Sequence, residues 1–268
     1  MTNGGSPAVS PDGSRIAFLS DRDGSTDLYV ISADGGGEAR LTRTPEAESQ
    51  PDWSADGKEI RFTVFANDAS RIFSIEPDGK NQRPLGTVPG RALRLSPDGK
   101  RALYWIGTWT AMKMFVSDLD GSKARQLTDG SGVVWGSRWS KDGKRIAFAD
   151  NDSQGVLNVY VMNADGSDRQ QVTHFAASDG RAQMPSWSPD GRTLAVQSSG
   201  KDQPGHIWVV DVSIGTARKL AAHDQPYMDE VPAWFPDAKR IAFQSNRTGR
   251  MEVWVMNVDG SGARQLTK

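Results

Sequence analysis

Apolar and polar residues alternate in short runs along this chain, and turn residues separate the runs. Residues 15–18 (Arg-Ile-Ala-Phe) and 240–243 (Arg-Ile-Ala-Phe) are two examples. A period of two residues is typical of a β-strand with one buried face, whereas a helix repeats near 3.6 residues. No helical pattern separates the runs, so the sequence predicts an all-β protein.

One unit recurs along the chain, with the pattern Pro-x-Trp-Ser-Pro-Asp-Gly-Lys-x-Ile-Ala-Phe. It is clearest at residues 51–62 and 185–196. Its aspartate recurs at intervals of 42 to 48 residues, at Asp12, Asp56, Asp98, Asp142, Asp190 and Asp237. The count from Asp237 through both termini to Asp12 is 43, so the chain holds six full units. A repeat of this period indicates a solenoid or a propeller.

Each unit predicts four antiparallel strands, A to D. Strand A ends at Trp-Ser, a Pro-Asp-Gly turn leads to strand B, and strand C carries an aromatic residue. An Asp-Gly turn in five units and a strand D of the Arg-Gln-Leu-Thr type, as at 125–128 and 264–267, complete the unit. Stacking such sheets around an axis buries both of their faces. We therefore predict a six-bladed β-propeller forming one domain over 1–268, with blades at about 7–42, 50–85, 91–128, 136–173, 184–220 and 231–267. Closure would rest on packing between the first and last blades.

The combination of these motifs resembles the TolB family. The resemblance is carried by Trp-Ser-Pro-Asp-Gly-Arg at 187–192, by residues 159–167 and by Arg-Gln-Leu-Thr at 264–267. Similar repeats form the propellers of prolyl-oligopeptidase-like enzymes. The sequence shows neither the N-terminal α/β domain of the TolB family nor the Gly-x-Ser-x-Gly motif of those peptidases. The resemblance implies a bacterial binding propeller, periplasmic or secreted, although residues 1–6 do not read as a signal peptide. A peptidoglycan-associated lipoprotein is the partner that the TolB family docks.

Charge and composition narrow the partners. The formal net charge is −1, and no run of Lys or Arg exceeds two residues, which argues against a nucleic-acid partner. The absence of cysteine excludes disulfides and thiolate sites. No apolar stretch is long enough for a membrane span. We expect a monomer without a cofactor that binds a protein.

Strand alternation sorts the connections onto two faces. The A–B and C–D turns lie on one face, here called the turn face, and are nearly uniform. The D–A and B–C connections lie on the other, here called the loop face, and vary in length between units; the D–A segment 86–91 and the B–C segment 106–112 are two of them. Because variable loops on a rigid scaffold commonly carry recognition, we expect binding on the loop face and at its channel mouth.

Two groups of side chains on the loop face are candidates for binding. Trp109 and Trp135 fill no position of the repeat, and Met112, Tyr227 and Met228 belong with them, either as packing or as an exposed contact patch. The charged residues before strand A are expected to point toward the axis, as a mixed-charge mouth or as solvated rim charges. They are Glu48, Arg91, Asp179, Arg181, Asp229 and Glu230.

Three histidines are the remaining candidates, and all map to the loop face. His174, His206 and His223 could hold Mn²⁺ or Zn²⁺, but none of the pairs has the i, i+2 spacing that places two ligands on one strand face. We therefore predict no metal site and no catalytic residue. The leading interpretation is a non-catalytic binding scaffold. The alternatives are a metal-dependent lyase or hydrolase with its site at the channel mouth, and the detached propeller of a prolyl-oligopeptidase-like peptidase.

Overall fold

A computed structural model describes residues 4–108, 110–130, 132–200, 203–220 and 227–268. Twenty-four strands form six sheets of four, and in each sheet consecutive strands pair antiparallel. The prediction of an all-β, six-bladed propeller is confirmed. Within the described ranges the one helix is a single 3-10 turn at Ala177–Asp179, so nothing there is helical and apolar over the length that a membrane span needs.

The strands are numbered β1 to β24 along the chain, four to a blade. Strands A are β1 (Gly5–Val9), β5 (Glu48–Trp53), β9 (Arg91–Leu95), β13 (Trp135–Trp139), β17 (Arg181–Trp187) and β21 (Asp229–Trp234). Strands B are β2 (Arg15–Ser20), β6 (Ile60–Ala66), β10 (Arg101–Thr108), β14 (Arg145–Asn151), β18 (Thr193–Gly200) and β22 (Arg240–Ser245). Strands C are β3 (Asp27–Ser32), β7 (Ala69–Ile75), β11 (Ala111–Asp118), β15 (Leu157–Asn163), β19 (Gln203–Asp211) and β23 (Glu252–Asn257). Strands D are β4 (Ala39–Arg40), β8 (Arg83–Pro89), β12 (Arg125–Gln126), β16 (Gln170–Gln171), β20 (Ala217–Lys219) and β24 (Arg264–Gln265).

The tryptophan that ends strand A joins its blade to the preceding one. The indole Nε1 of Trp53 donates to the carbonyl of Ala8 at 2.9 Å, and that of Trp187 donates to Arg138 at 3.2 Å. The guanidinium of Arg145 lies over the Trp187 ring, 4.5 Å from its centroid. Burying a large aromatic side chain stabilises a fold by roughly 2–3 kcal/mol. The repeat therefore encodes the interfaces between blades as well as the blades themselves.

The ring closes by packing and hydrogen bonding between blades 1 and 6. Ile16, Phe18, Phe235 and Leu266 belong to one buried cluster that is drawn from both blades. The Gly4 amide donates to the carbonyl of Met251 at 3.0 Å. Each sheet uses four consecutive strands, so within residues 4–268 as described no strand from one terminus completes the blade of the other.

The Ser-x-Asp-Gly turn between strands A and B is held by its own side chains. Ser10 Oγ donates to Asp12 Oδ1 at 2.6 Å, and the Arg15 amide donates to Ser10 Oγ at 3.0 Å. The hydroxyl of Ser10 is the main cause that lowers the pKa of Asp12 to about 2. The glycine that follows has positive φ in five blades, whereas the sixth blade places Ala238 there with φ of 57°.

Ala238→Gly is expected to stabilise the protein by about 1 kcal/mol, because a left-handed backbone costs a residue with a Cβ and costs glycine little. Chemical denaturation followed by tryptophan fluorescence measures the change. Gly143→Ala, at the equivalent turn of blade 4 with φ of 68°, is the matched reverse substitution and should lose a similar amount, since a Cβ there meets only Pro97 at 3.6 to 4.0 Å. Equal stability of Ala238→Gly and the parent protein would show that the turn is not strained.

Two connections differ from the sequence prediction. Strand D of blade 2 continues through residues 83–89, so the expected loop at 86–91 is mostly strand. Strands β10 and β11 pair out to Thr108 and Ala111, so the expected loop at 106–112 is a β-hairpin. In both places the pairing of neighbouring strands continues beyond the repeat motif.

Candidate functional site

Strands β10 and β11 of blade 3 have eight residues each and form one of the two long B–C hairpins of the loop face, the other being β18–β19 of blade 5. Its side chains alternate, so Ile106 is 40% exposed near the tip whereas Met112 is fully buried. Met112 belongs to a core cluster with Met114 and Trp139, so of the two alternatives for this residue the structure shows packing. Trp109 lies outside the described residues. The hairpin therefore offers an apolar edge, but through Ile106 and not Met112.

Trp135 has a place in the repeat, contrary to the sequence interpretation. It begins strand A of blade 4 and pairs with Ala149, as Glu230 pairs with Gln244 in blade 6. A bulge follows it, which breaks the match to the sequence motif. Its side chain is half-buried and packs against the core cluster that contains Met112. Trp135 thus combines packing with partial exposure at the loop face.

Tyr227 and Met228 lie in blade 6, apart from Trp135 in blade 4. The guanidinium of Arg247 lies 4.8 Å from the centroid of the Tyr227 ring. The Met228 amide donates to Asn246 Oδ1 at 2.6 Å, and both side chains are half-buried. Because blade 5 separates blades 4 and 6, the structure does not bring Trp135 and Tyr227 into one patch.

Two of the charged candidates are buried and do not point into the channel mouth as free charges. Glu48 is 2% exposed and accepts hydrogen bonds from Thr42 at 3.0 Å and Thr44 at 2.7 Å. Burial raises the pKa of Glu48. Asp229 is 2% exposed and forms a two-bonded ion pair with Arg247, at 3.1 and 2.5 Å. A buried charge is tolerated when it is paired and hydrogen-bonded. Through these bonds Glu48 and Asp229 hold in place the connections at the start of β5 and β21.

Glu230 links three blades through hydrogen bonds. Its carboxylate accepts from Gln197 Nε2 at 3.0 Å and from Gln244 Nε2 at 3.1 Å. Gln244 Oε1 in turn accepts from the Ser6 amide at 3.0 Å. Blades 5, 6 and 1 are therefore connected by one polar chain, and Glu230 is a structural acceptor within it.

The other charged candidates are placed as follows. Arg91 is exposed, and its guanidinium lies 3.7 Å from the centroid of the Phe65 ring. Arg181 is exposed at the first residue of β17. Asp179 ends the 3-10 turn, and its side chain lies outside the described part of the chain. Only Arg91 and Arg181 thus remain as described, exposed charges on this rim.

Of the three histidine candidates, the structure describes His174 and His206. His174 is exposed, and His206 is buried on β19 in blade 5. His223 lies outside the described residues. Among the described residues no group of three His, Cys, Asp or Glu side chains could hold a metal ion.

A cavity of about 350 Å³ lies on the central axis, and sequence reasoning missed it. It extends along the strands A from their bulges to the A–B turns, which is the turn-face end of the channel. The residue before the last residue of strand A lines it in every blade, and that last residue is tryptophan in four blades, Val9 in blade 1 and Leu95 in blade 3. These residues are Ala8, Asp52, Arg94, Arg138, Ser186 and Ala233. The signal was available as the variable position of Pro-x-Trp-Ser, since the residue beside a buried tryptophan on a strand points the opposite way.

The charges of this cavity are concentrated in blades 2 to 4. Asp52 lies directly across from Arg61 on the neighbouring strand. Burial raises the pKa of Asp52, and the positive charge of Arg138 opposes that rise. Burial likewise lowers the pKa of Arg138, against the effect of Asp52. Arg94 is 6% exposed, and its Nε and Nη1 have no hydrogen-bond partner among the described residues.

Comparison with known proteins identifies the repeat. The family described as "TolB beta propeller domain" matches residues 2–113 and 107–268. The crystal structure of TolB from Acinetobacter baumannii superposes with a TM-score of 0.78 at 18% identity, over 97% of this chain and 65% of that one. At that identity the likeness shows the fold alone.

Two curated relatives carry peptidase names. Tricorn protease homolog 1 of Streptomyces coelicolor is 27% identical over 254 residues, which are 87% of this chain and 23% of that protein. Dipeptidyl-peptidase 5 of Porphyromonas endodontalis is 25% identical over 263 residues, 91% of this chain and 37% of that protein. The chain therefore spans well under half the length of these relatives.

Proposed function

Since this chain belongs to the TolB beta propeller domain family, we propose that it acts by binding a protein partner on the loop face, at blades 3 and 4. The observation that carries the proposal is the extended β10–β11 hairpin with Ile106 exposed near its tip. A large apolar side chain on a projecting hairpin is the kind of group that interfaces bury.

The neighbouring residues support this position. Arg91 is exposed one strand away and stacked on Phe65, and Trp135 is half-exposed at the start of the next blade. Arginine and tryptophan are enriched among the residues that contribute most to binding. The loop face at blades 3 and 4 therefore presents an apolar side chain (Ile106), an aromatic side chain (Trp135) and a cation fixed by stacking (Arg91) on a rigid sheet.

Photo-crosslinking tests the proposal in the native host. Benzoylphenylalanine at Ile106 is expected to capture a specific protein, because the side chain would lie inside the interface. The matched control is the same residue at Ser122, which is exposed in the C–D turn at the opposite end of the same blade. Mass spectrometry identifies the captured partner.

Equal capture from both positions, or capture from Ser122 alone, would contradict binding on the loop face. A circular dichroism melt of each variant shows whether the propeller remains folded. Trp135→Ala should weaken capture from Ile106 if the interface reaches blade 4.

A second function is favoured by the peptidase names of two relatives. In that case the propeller serves a peptidase, and its loop face contacts a catalytic domain. Capture of a protein that carries a serine-hydrolase domain would favour this function over a separate scaffold.

A further inference from the structure

The central cavity contains more positive charge than the protein around it neutralises. Arg61, Arg94 and Arg138 line it together with one carboxylate, Asp52. Arg94 Nε, Arg94 Nη1 and Arg61 Nε are buried without a hydrogen-bond partner in the described part of the chain. No ion pair within 4 Å joins Asp52 to any of the three guanidinium groups among the described residues. The four side chains therefore carry a formal surplus of two positive charges.

A surplus of buried positive charge destabilises the fold unless a negative group offsets it. Arginine stays protonated in proteins, and a buried charge without a partner destabilises the fold. The opposite wall is small and uncharged at the equivalent positions Ala8, Ser186 and Ala233. Blades 2 to 4 thus supply positive charge, and the small residues of blades 5, 6 and 1 leave space beside it. A bound anion requires both.

We propose that the central channel is a binding site for a small ligand that carries a carboxylate or a phosphate, held by Arg94, Arg138 and Arg61. The planar guanidinium fork matches both groups through paired N–H···O bonds. The cavity volume falls in the range of small-molecule sites.

The residues at the mouth of the cavity indicate more closely which chemical class of ligand would fit. At the turn face, the second residue after the end of strand A is proline in four of the six blades, and these residues form a ring around the mouth. It consists of Pro11, Ala55, Pro97, Lys141, Pro189 and Pro236. Proline presents no N–H donor, so this ring suits an uncharged body, while Lys141 adds a cation at the rim. The ligand is thus an anionic head with a neutral tail, such as the C-terminus of a short peptide, and this site is independent of the loop-face proposal.

Isothermal titration at constant ionic strength tests the site with three probes. These are inorganic phosphate, N-acetyl-Gly-Ala with a free carboxylate, and the same peptide as its amide. Phosphate or the free peptide should bind and the amide should not. Arg94→Met should weaken binding about tenfold or more, the loss expected for a charged hydrogen bond. Arg218→Met removes an exposed arginine outside the channel and should change nothing.

Two further measurements separate binding from a structural role. Arg94→Met should melt no lower than the parent protein without ligand, because it removes a buried charge with unpaired donors. Asp52→Asn should bind the anion more tightly, since it removes the only carboxylate that lines the cavity in the described residues. If Arg94→Met fails to fold, Asp52→Asn alone decides the question. Absence of binding by every probe, or equal affinity in the parent and Asp52→Asn, would overturn the proposal.

Discussion

Arg247→Ala is expected to lower the free energy of unfolding by about 3 kcal/mol, because it leaves the carboxylate of Asp229 buried without its partner. The guanidinium forms two hydrogen bonds to Asp229 and lies over the rings of Tyr227, Phe243 and Trp254 at 4.8 to 5.4 Å. These contacts join the B–C turn of blade 6, which carries Arg247, to the start of strand A and to strands B and C of the same blade. Urea denaturation followed by tryptophan fluorescence measures the loss.

Arg250→Ala is the matched control, since Arg250 is exposed three residues further along the same turn. It should change stability by less than about 0.5 kcal/mol. The double variant Arg247→Met with Asp229→Leu should recover part of the loss, because it removes both charges together. A loss in Arg247→Ala no larger than that in Arg250→Ala would show that the pair contributes nothing.

Gly86→Ala is expected to cost about 2 to 3 kcal/mol, since the added carbon would overlap a neighbouring main chain. A Cβ at Gly86 would stand 2.1 Å from the carbonyl oxygen of Leu119, where blade 2 meets blade 3. Its φ does not lie in the left-handed region, so the cost is a collision and not backbone strain. A thermal melt should show a clear fall in Tm.

Gly36→Ala provides the comparison, because a Cβ there meets only Asp34 Oδ1 at 3.6 Å, an ordinary contact. That variant should melt within a degree or two of the parent, as most surface substitutions do. If both alanine variants melted alike, the contact between β8 and blade 3 would have room for a methyl group, and the expected collision would be absent.

The blade architecture could be predicted from the sequence because the strand pattern, the turn motif and the repeat spacing all indicate a six-bladed propeller. Alternation predicts the strands, the Pro-Asp-Gly pattern predicts the tight turn, and the spacing gives six units. The strand A tryptophans Trp53 and Trp187 lie at the interfaces between blades, where aromatic side chains at fixed strand positions usually pack. These features are local, so a short stretch of sequence suffices to encode each one.

The candidate site was harder to predict because it depends on residues that are distant in sequence. Glu48 and Asp229 were expected at the rim as charges, but Thr42 and Arg247 hold them inside. Met112 reads as a loop residue until the pairing of β10 with β11 places it in the core. The bulge in each strand A also changes which side chains face the axis, and alternation alone does not reveal a bulge.

The two ends of the described chain lie side by side. A Cβ on Gly4 would stand 2.8 Å from Thr267 Oγ1, and Gly4 already bonds to the turn before β23. A short peptide joining them would make a covalent circle in which no blade is first. Such a circle could be opened at another D–A connection, for example between β4 and β5, to give a circular permutant with the same six interfaces. The six blades could therefore form the same ring whichever of them is synthesised first.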